Sequence, residues 1–287
     1  MQATVKRISI AILCLSFFIV EKSSELYAQE SIYVSLNPPV ILPDGSEFKT
    51  WSDKTVFTRT YYVDQRHPRA SDNNEGSEEK PFLTINKAAK IVRAGEKVIV
   101  KSGVYRELVK PKFGGDGPDK MISYDAAAGA KVIVKGSRII KRKWTESKRG
   151  GVLSSAKLWM VSLPDNYFES DNPFLTENAN KEDIDIMPWA SEWAGKLPYT
   201  LGRGLVFQDG KRLVQQATHG NMAKLPGSFW VEKESKRLHV HPYGGINPNM
   251  ATFEITKQQH IFRPAVTDLG YIRVKGFIFE HAGNGFP

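Results

Sequence analysis

One stretch limits what this chain can fold into more than any other: Gly76 to Glu107, GSEEKPFLTINKAAKIVRAGEKVIVKSGVYRE. Pro81 and the N-cap candidate Thr84 open a helix whose apolar residues Ile85, Ala88, Ala89 and Val92 fall at i, i+3, i+4 and i+7, a single stripe to bury. Gly95 ends that helix. Val98, Ile99 and Val100 then give a short β-branched run, and Gly103 separates it from Val104 and Tyr105, where extended structure restarts. A short helix is thus expected to cover the start of a stack of strands.

Further strands follow at short intervals. Past Lys110-Pro111-Lys112 and the turn Gly114-Gly115-Asp116-Gly117-Pro118, they are predicted at Met121 to Tyr124 and Val132 to Val134. None is long enough to be stable alone, but stacked in parallel coils each buries its neighbour's inward residues, which is the logic of a solenoid. After Gly136 the character changes to a stretch rich in Trp, Asn and Pro, opening at Lys141-Arg142-Lys143-Trp144. Strands are predicted there near Leu158 to Val161 and Leu205 to Gln208. Asp209-Gly210 between Val206-Phe207 and Leu213-Val214 predicts a hairpin, and Phe229-Trp230-Val231 facing Leu238-His239-Val240 predicts another. Alternation through Tyr271 to Gly276 and the run Phe277 to Ala282 resume the coil pattern. The chain is expected to divide into a signal peptide (1–28), a leader with turn clusters (29–56), a helical cap and first coils (57–139), an inserted β domain (140–267) and a resumed coil (268–287). Gly283 to Pro287 reads as the start of a loop, not as a cap, so an amino-terminal fragment of a longer protein is expected.

Several of these residues together resemble a known signature. The strand Tyr61-Tyr62-Val63-Asp64, an acidic Gly-containing loop, Lys80-Pro81-Phe82, Thr84-Ile85, Ala88-Ala89, Gly95, Val98-Ile99-Val100 and Gly103-Val104-Tyr105-Arg106-Glu107 resemble the amino-terminal signature of secreted right-handed parallel β-helix proteins of the pectate-lyase-like superfamily. Extra residues His67-Pro68-Arg69 and Glu96, where that family more often has Asp, depart from it without touching the apolar positions. A β insertion after the opening coils and a return through residues 271–277 is similar to β-helix glycoside hydrolases, notably the β-xylosidase family with a sandwich inserted in the helix. The resemblance covers 60–140 and 268–282 well and the insertion in outline. It implies an all-β fold, a right-handed parallel β-helix with an N-terminal capping helix and an inserted β-sandwich-like domain. In those hydrolases the catalytic carboxylates sit on later coils, which implies positions beyond Pro287, so no catalytic residue is assigned on this chain and this part alone is expected to be inactive.

Residues 1–28 read as a secretory signal peptide: Lys6 and Arg7, an apolar run from Ile8 to Val20, and Tyr27-Ala28 before Gln29. That run is about two-thirds of the roughly 20 residues a spanning helix needs. The expected location is therefore secreted, periplasmic or cell-surface, with no membrane span after cleavage. Cys14 is the sole cysteine, so the mature chain forms no disulfides. The net charge is +9, and the signal segment holds one more basic than acidic residue, leaving the mature chain one unit lower. This moderate basicity fits either a solvated Lys-rich surface or attraction to an acidic polysaccharide, and secretion disfavours nucleic acid as a partner. The expected partner is a polysaccharide or oligosaccharide.

Candidate chemistry is sparse. Glu280 and His281 end a predicted coil strand next to a loop, where a cleft would begin, although glycoside hydrolysis needs two carboxyl groups roughly 5 to 9.5 Å apart. Trp189, Trp193 and Tyr199 lie in a Trp- and Pro-rich segment suited to stacking on pyranose rings. The two tryptophans, four apart, equally fit a packed face of a short helix. Glu182, Asp183 and Asp185 read as an exposed acidic loop. His239 and His241 share one strand face, a spacing that can ligate metal, yet no third ligand completes a set, and no metal or cofactor is expected. Neither a Gly-rich phosphate loop nor a Ser-His-Asp arrangement is legible. The rival readings are a calcium-dependent polysaccharide lyase and a non-catalytic β-helix surface or adhesion protein.

Overall fold

The computed structural model describes residues 38–46, 48, 53–148, 156–168 and 172–283. The signal peptide and its cleavage point lie outside them. The chain divides into two compact units, residues 1–53 and 54–287. In the first, a reverse turn closes at Pro43-Asp44-Gly45, where Leu42 N donates to Ser46 O (2.7 Å) and Phe48 N to Val40 O (2.8 Å).

The second unit opens with strand β1 (Arg59–Val63), helix α1 (Ile85–Ala89), β2 (Glu96–Val100) and β3 (Gly103–Tyr105). The helix is shorter than the apolar stripe suggests, but Ile85, Ala88, Ala89 and Val92 are all fully buried. Thr84 caps it, its hydroxyl accepting from Lys87 N at 3.1 Å. Next come β4 (Ile122–Ala126), β5 (Val132–Lys135) and β6 (Ser137–Ile139), then β7 (Thr145–Glu146), β8 (Trp159–Ser162), α2 (Lys181–Ile186), β9 (Val206–Gln208), β10 (Lys211–Arg212) and β11 (Val214–Gln215). The described chain finishes with α3 (His219–Lys224), β12 (Ser228–Glu232), β13 (Arg237–His241), β14 (Phe253–Thr256), β15 (Ile272–Lys275) and β16 (Phe277–Glu280). Strands dominate, so the class is all-β.

Among the described residues, two of the four sheets are parallel throughout. One has the order β1-β2-β4-β15 and the other β3-β5-β16. Successive strands alternate between them: β2 then β3, β4 then β5, β15 then β16. Inward residues therefore stack from strand to strand, Tyr61 beside Val98 beside Tyr124 and Val63 beside Val100, and with Ile85, Val109, Val132 and Val134 they make one core. On the last strands, Val274, Ile278 and Phe279 are exposed.

Between β6 and β14 the chain builds two sheets of antiparallel character, β10-β9-β14-β6 and β11-β12-β13-β8-β7. Their inner faces share a second core containing Trp144, Trp159, Val161, Phe174, Val206, Phe229, Val240, Phe253 and Ile255. Both predicted hairpins form. Asp209 (φ 49°) and Gly210 (φ 82°) make a turn with both central residues left-handed, joining β9 to β10. The first hairpin differs from expectation beyond Arg212, because Val214 leaves it to pair in parallel with Ser228 of the other sheet while Leu213 is drawn into the shared core. Glu182, Asp183 and Asp185 also differ: they lie on α2, not on a loop, because Asn180 and Asp183 form a capping box and Arg203 pairs with Asp183.

Candidate functional site

The densest polar constellation lies where the parallel sheets meet the antiparallel sheet of β14. Gly136 separates β5 from β6 and lets two strand ends come close, for a Cβ there would stand 2.8 Å from His281 O. Lys135 ends β5, Ser137 opens β6, and Glu280 ends β16 directly beside Lys135. His281 follows in the left-handed region (φ 63°), a conformation that costs a non-glycine residue about 1 kcal/mol or more and turns the imidazole back over the sheet. Glu254, in β14, is delivered from the other side next to Phe207 of β9.

Glu254 is the hub. Arg106 grips it with both ends of its guanidinium, Nη1 to Oε2 at 3.0 Å and Nη2 to Oε1 at 2.9 Å, and Ser137 Oγ donates to Oε2 at 2.9 Å. His281 Nδ1 lies 3.0 Å from Ser137 Oγ and 3.4 Å from Glu254 Oε2. Hydrogen bonding from His281, then from Arg106 and Ser137, outweighs burial and holds the Glu254 carboxyl well below the usual carboxylate range. It is therefore a fixed anion, unfit to give up a proton but suited to orienting His281 through Nδ1. The imidazole is clamped from the other side by Phe207, stacked at 3.6 Å between centroids and 14° between planes.

With Nδ1 so engaged, Nε2 of His281 faces Glu280, 3.9 Å from Oε2. Lys135 Nζ stands 3.2 Å from Glu280 Oε2 and 3.8 Å from Glu254 Oε2, so those two oxygens lie no farther apart than the sum of the distances, about 7 Å. That bound lies below the upper end of the roughly 5 to 9.5 Å separation used for glycoside cleavage. Cleavage also needs a protonated acid opposite the ionised carboxylate and room between them for the scissile bond, and here Lys135 Nζ stands between the two carboxyl groups. What the arrangement offers is a half-exposed Glu280 carboxylate and a positioned imidazole beside it, a polar surface able to accept and donate hydrogen bonds to hydroxyl groups.

Two residues of this cluster, Glu280 and His281, stand out in the sequence as strand-end groups. Arg106, Lys135, Ser137 and Glu254 do not. Arg106 and Glu254 are 148 positions apart, and only the return of β14 onto β6 joins them. An isolated Glu in an apolar strand, Phe253-Glu254-Ile255, is the one local sign that a buried partner must exist.

The other predicted residues form a second group. Trp189 and Trp193 sit on a single 3₁₀ segment, Pro188–Trp193, after α2. Their rings meet edge to face at 5.3 Å, and Trp193 stacks on Tyr199 at 5.1 Å and 11°. Trp189 is 57% exposed, while Trp193 and Tyr199 are partly buried against each other. Among the described residues there is no group of three or more His, Cys, Asp or Glu placed to hold a metal, and no helix is long and apolar enough to cross a membrane.

Comparison with known proteins adds three likenesses. Residues 69–121 match the family described as "Protein of unknown function (DUF1565)", a span that contains most of the opening helix-and-strand stretch. Over 78 residues the chain is 33% identical to the uncharacterized protein YwoF of Bacillus subtilis (strain 168), covering 27% of this chain and 16% of YwoF. Among solved structures it is similar to one described as the complex structure of XylC with xylose. That match has 27% identity and a TM-score of 0.64, over 79% of this chain and 36% of the XylC chain. The chain thus spans about a sixth of YwoF and about a third of XylC.

Proposed function

We propose that this chain is part of a secreted carbohydrate-active protein built on a right-handed parallel β-helix, acting as a glycoside hydrolase on a plant or algal polysaccharide. The observation that carries the reading is the likeness to XylC over most of the chain, because XylC was solved with xylose bound. In this reading β2–β3, β4–β5 and β15–β16 are coils, α1 closes the end of the first, and the antiparallel sheets are an insertion between the second and third. Trp189, Trp193 and Tyr199 present flat rings for sugar stacking, and Glu280 with His281 supplies polar contacts. Glu254 is excluded as the proton donor by its fixed charge. The carboxyl pair that cleaves the glycosidic bond is accordingly assigned outside the described residues.

The test is retention of residues 29–287 in affinity gels cast with xylan and other plant or algal polysaccharides, together with an assay on aryl glycosides. Retention on at least one glycan is expected, weakened about tenfold or more by Trp193→Ala, with no aryl-glycoside turnover. Absence of retention on every glycan sinks the sugar-binding reading, and turnover by residues 29–287 sinks the assignment of catalysis to other segments.

A further inference from the structure

The five-stranded sheet has a face that the shared core does not use. Strand alternation puts Phe229, Val231, Leu238 and Val240 into the core, and Trp230, Glu232 and His239 on the opposite side, where α3 partly covers them. The pair His239 and His241, suggestive of a metal site in the sequence, separates on this face. His241 Nδ1 lies 3.2 Å from the Met222 carbonyl oxygen, whereas His239 turns the other way. His239 Nδ1 stands 2.8 Å from Ser147 Oγ, and its Nε2 stands 3.4 Å from Glu232 Oε2.

With Glu232 ionised, the proton positions follow from these distances. An ionised Glu232 only accepts, so Nε2 of His239 carries hydrogen toward it, and Nδ1 is left with a lone pair aimed at the Ser147 hydroxyl. Ser147 therefore donates to His239 and accepts from a second histidine, His219 Nε2, at 3.2 Å. Arg237 Nη1 stands 3.8 Å from Glu232 Oε2. Trp230 is tilted against the His239 ring at 5.1 Å, limiting its rotation. Ser147 is partly exposed at the end of β7, while His239 (1% exposed) and Glu232 (9%) are both buried behind it. A hydroxyl at the solvent boundary, backed by a buried imidazole and then a buried carboxylate, is the order an activated serine requires.

We propose that Ser147, His239 and Glu232 form a nucleophile, base and positioning acid that hydrolyse acyl esters, an activity separate from sugar binding and from glycoside cleavage. Ser147 Oγ bonds to the acyl carbon as its proton passes to Nδ1 of His239, and the ester C–O bond breaks as that proton leaves with the alcohol. Water then adds to the acyl-serine, its proton taken by the same nitrogen. The Oγ–acyl bond breaks, the carboxylic acid departs and Ser147 recovers its proton. The ring nitrogens are used in the opposite sense to the chymotrypsin arrangement, and the chemistry needs only that base and acid occupy opposite nitrogens. Ser147 and His239 are 92 positions apart, which is why no such set is legible in the sequence.

The experiment uses residues 29–287 with a fluorophosphonate probe, whose phosphorus is captured by activated serines, and with p-nitrophenyl acetate. Stoichiometric labelling mapped by mass spectrometry to Ser147 is expected, with acetate release that Ser147→Ala reduces by about 10³-fold or more. His239 is buried and its replacement endangers folding, so Glu232 is varied instead. Glu232→Gln should slow labelling on the order of 10²-fold at an unchanged melting temperature, and Glu232→Asp should restore part of the rate. Labelling absent from Ser147, acetate release equal in Ser147→Ala, or labelling unaffected by Glu232→Gln overturns the proposal.

Discussion

Glu107 carries the clearest pH signature at the scale of single residues. Its two carboxylate oxygens accept from Ile85 N (2.9 Å) and Asn86 N (2.8 Å) at the start of α1, yet burial pushes its carboxyl up to about 7 from an ordinary 4.5. A raised pKa means that the unfolded chain gives up this proton first, so the stability Glu107 contributes is complete below pH 4.5 and is lost as pH rises through 7. At 1.36 kcal/mol per unit the loss amounts to about 3 kcal/mol. Urea unfolding between pH 4.5 and 8 should show that decline in the wild type and a flatter profile in Glu107→Gln. Glu254 has the opposite sign: its pKa is depressed, and its contribution is present above pH 4.5 and lost on acidification. A second residue-scale prediction concerns Tyr124, fully buried, whose hydroxyl has no hydrogen-bond partner among the described residues. Tyr124→Phe should raise stability by about 1 kcal/mol in the same denaturation assay, and a fall would mean that the hydroxyl is satisfied. Neither effect is legible in the sequence. An Arg-Glu dipeptide at 106–107 looks like any exposed pair, and only the fold turns Arg106 toward Glu254 and Glu107 toward α1.

Elements were more legible than residues where local chemistry decides them. Thr84 capping, the fully buried stripe of α1 and the Asp209-Gly210 turn all follow from side chains a few positions apart, so periodicity and turn chemistry suffice. The departures have two causes, a tertiary strand partner that local pattern does not report and a local capping box that the acidic-loop reading passed over. Val214 belongs to β11 because Ser228 is waiting, and the acidic run becomes α2 because Asn180 and Arg203 hold it. Two glycines separate backbone strain from crowding. Gly210 has φ 82° and nothing within 4 Å of where a Cβ would lie, so Gly210→Ala should cost about 1 kcal/mol, the left-handed penalty alone. Gly76 has φ 79°, and its Cβ would lie 2.3 Å from the fully buried Phe82 ring, so Gly76→Ala should add overpacking of about 1 to 3 kcal/mol to the same penalty. Comparable thermal shifts for the two variants would show that Phe82 yields without cost.

From residue 54 onward the two larger apolar cores of the described residues lie inside the parallel sheets and between the antiparallel sheets, and both are foreshadowed by the alternation of their strands. Their junction is not foreshadowed, since Arg106, Ser137, Glu254 and His281 come from four separate parts of the sequence and meet only in three dimensions. A charged junction of this kind couples two cores differently from an apolar one. Removing one partner leaves a buried charge unpaired, which costs about 3 to 5 kcal/mol for fully buried pairs and less here, where the Arg106 side chain is 23% exposed. Arg106→Leu therefore loads its penalty onto Glu254 and β14, a strand inside the antiparallel sheet. Every tryptophan of the described residues lies between β6 and β14, so tryptophan emission follows the antiparallel core while far-ultraviolet circular dichroism follows all the strands. The two thermal transitions should coincide in the wild type. In Arg106→Leu the tryptophan transition should fall below that of circular dichroism by several degrees, because the antiparallel core has lost the anion clamp that ties it to the parallel sheets. Transitions that fall together would mean that the backbone bonds at the junction, Gly136 N to Glu280 O and Lys257 N to Gly136 O, suffice to make the two cores one cooperative unit, and that the cluster is free to serve a ligand instead of the fold.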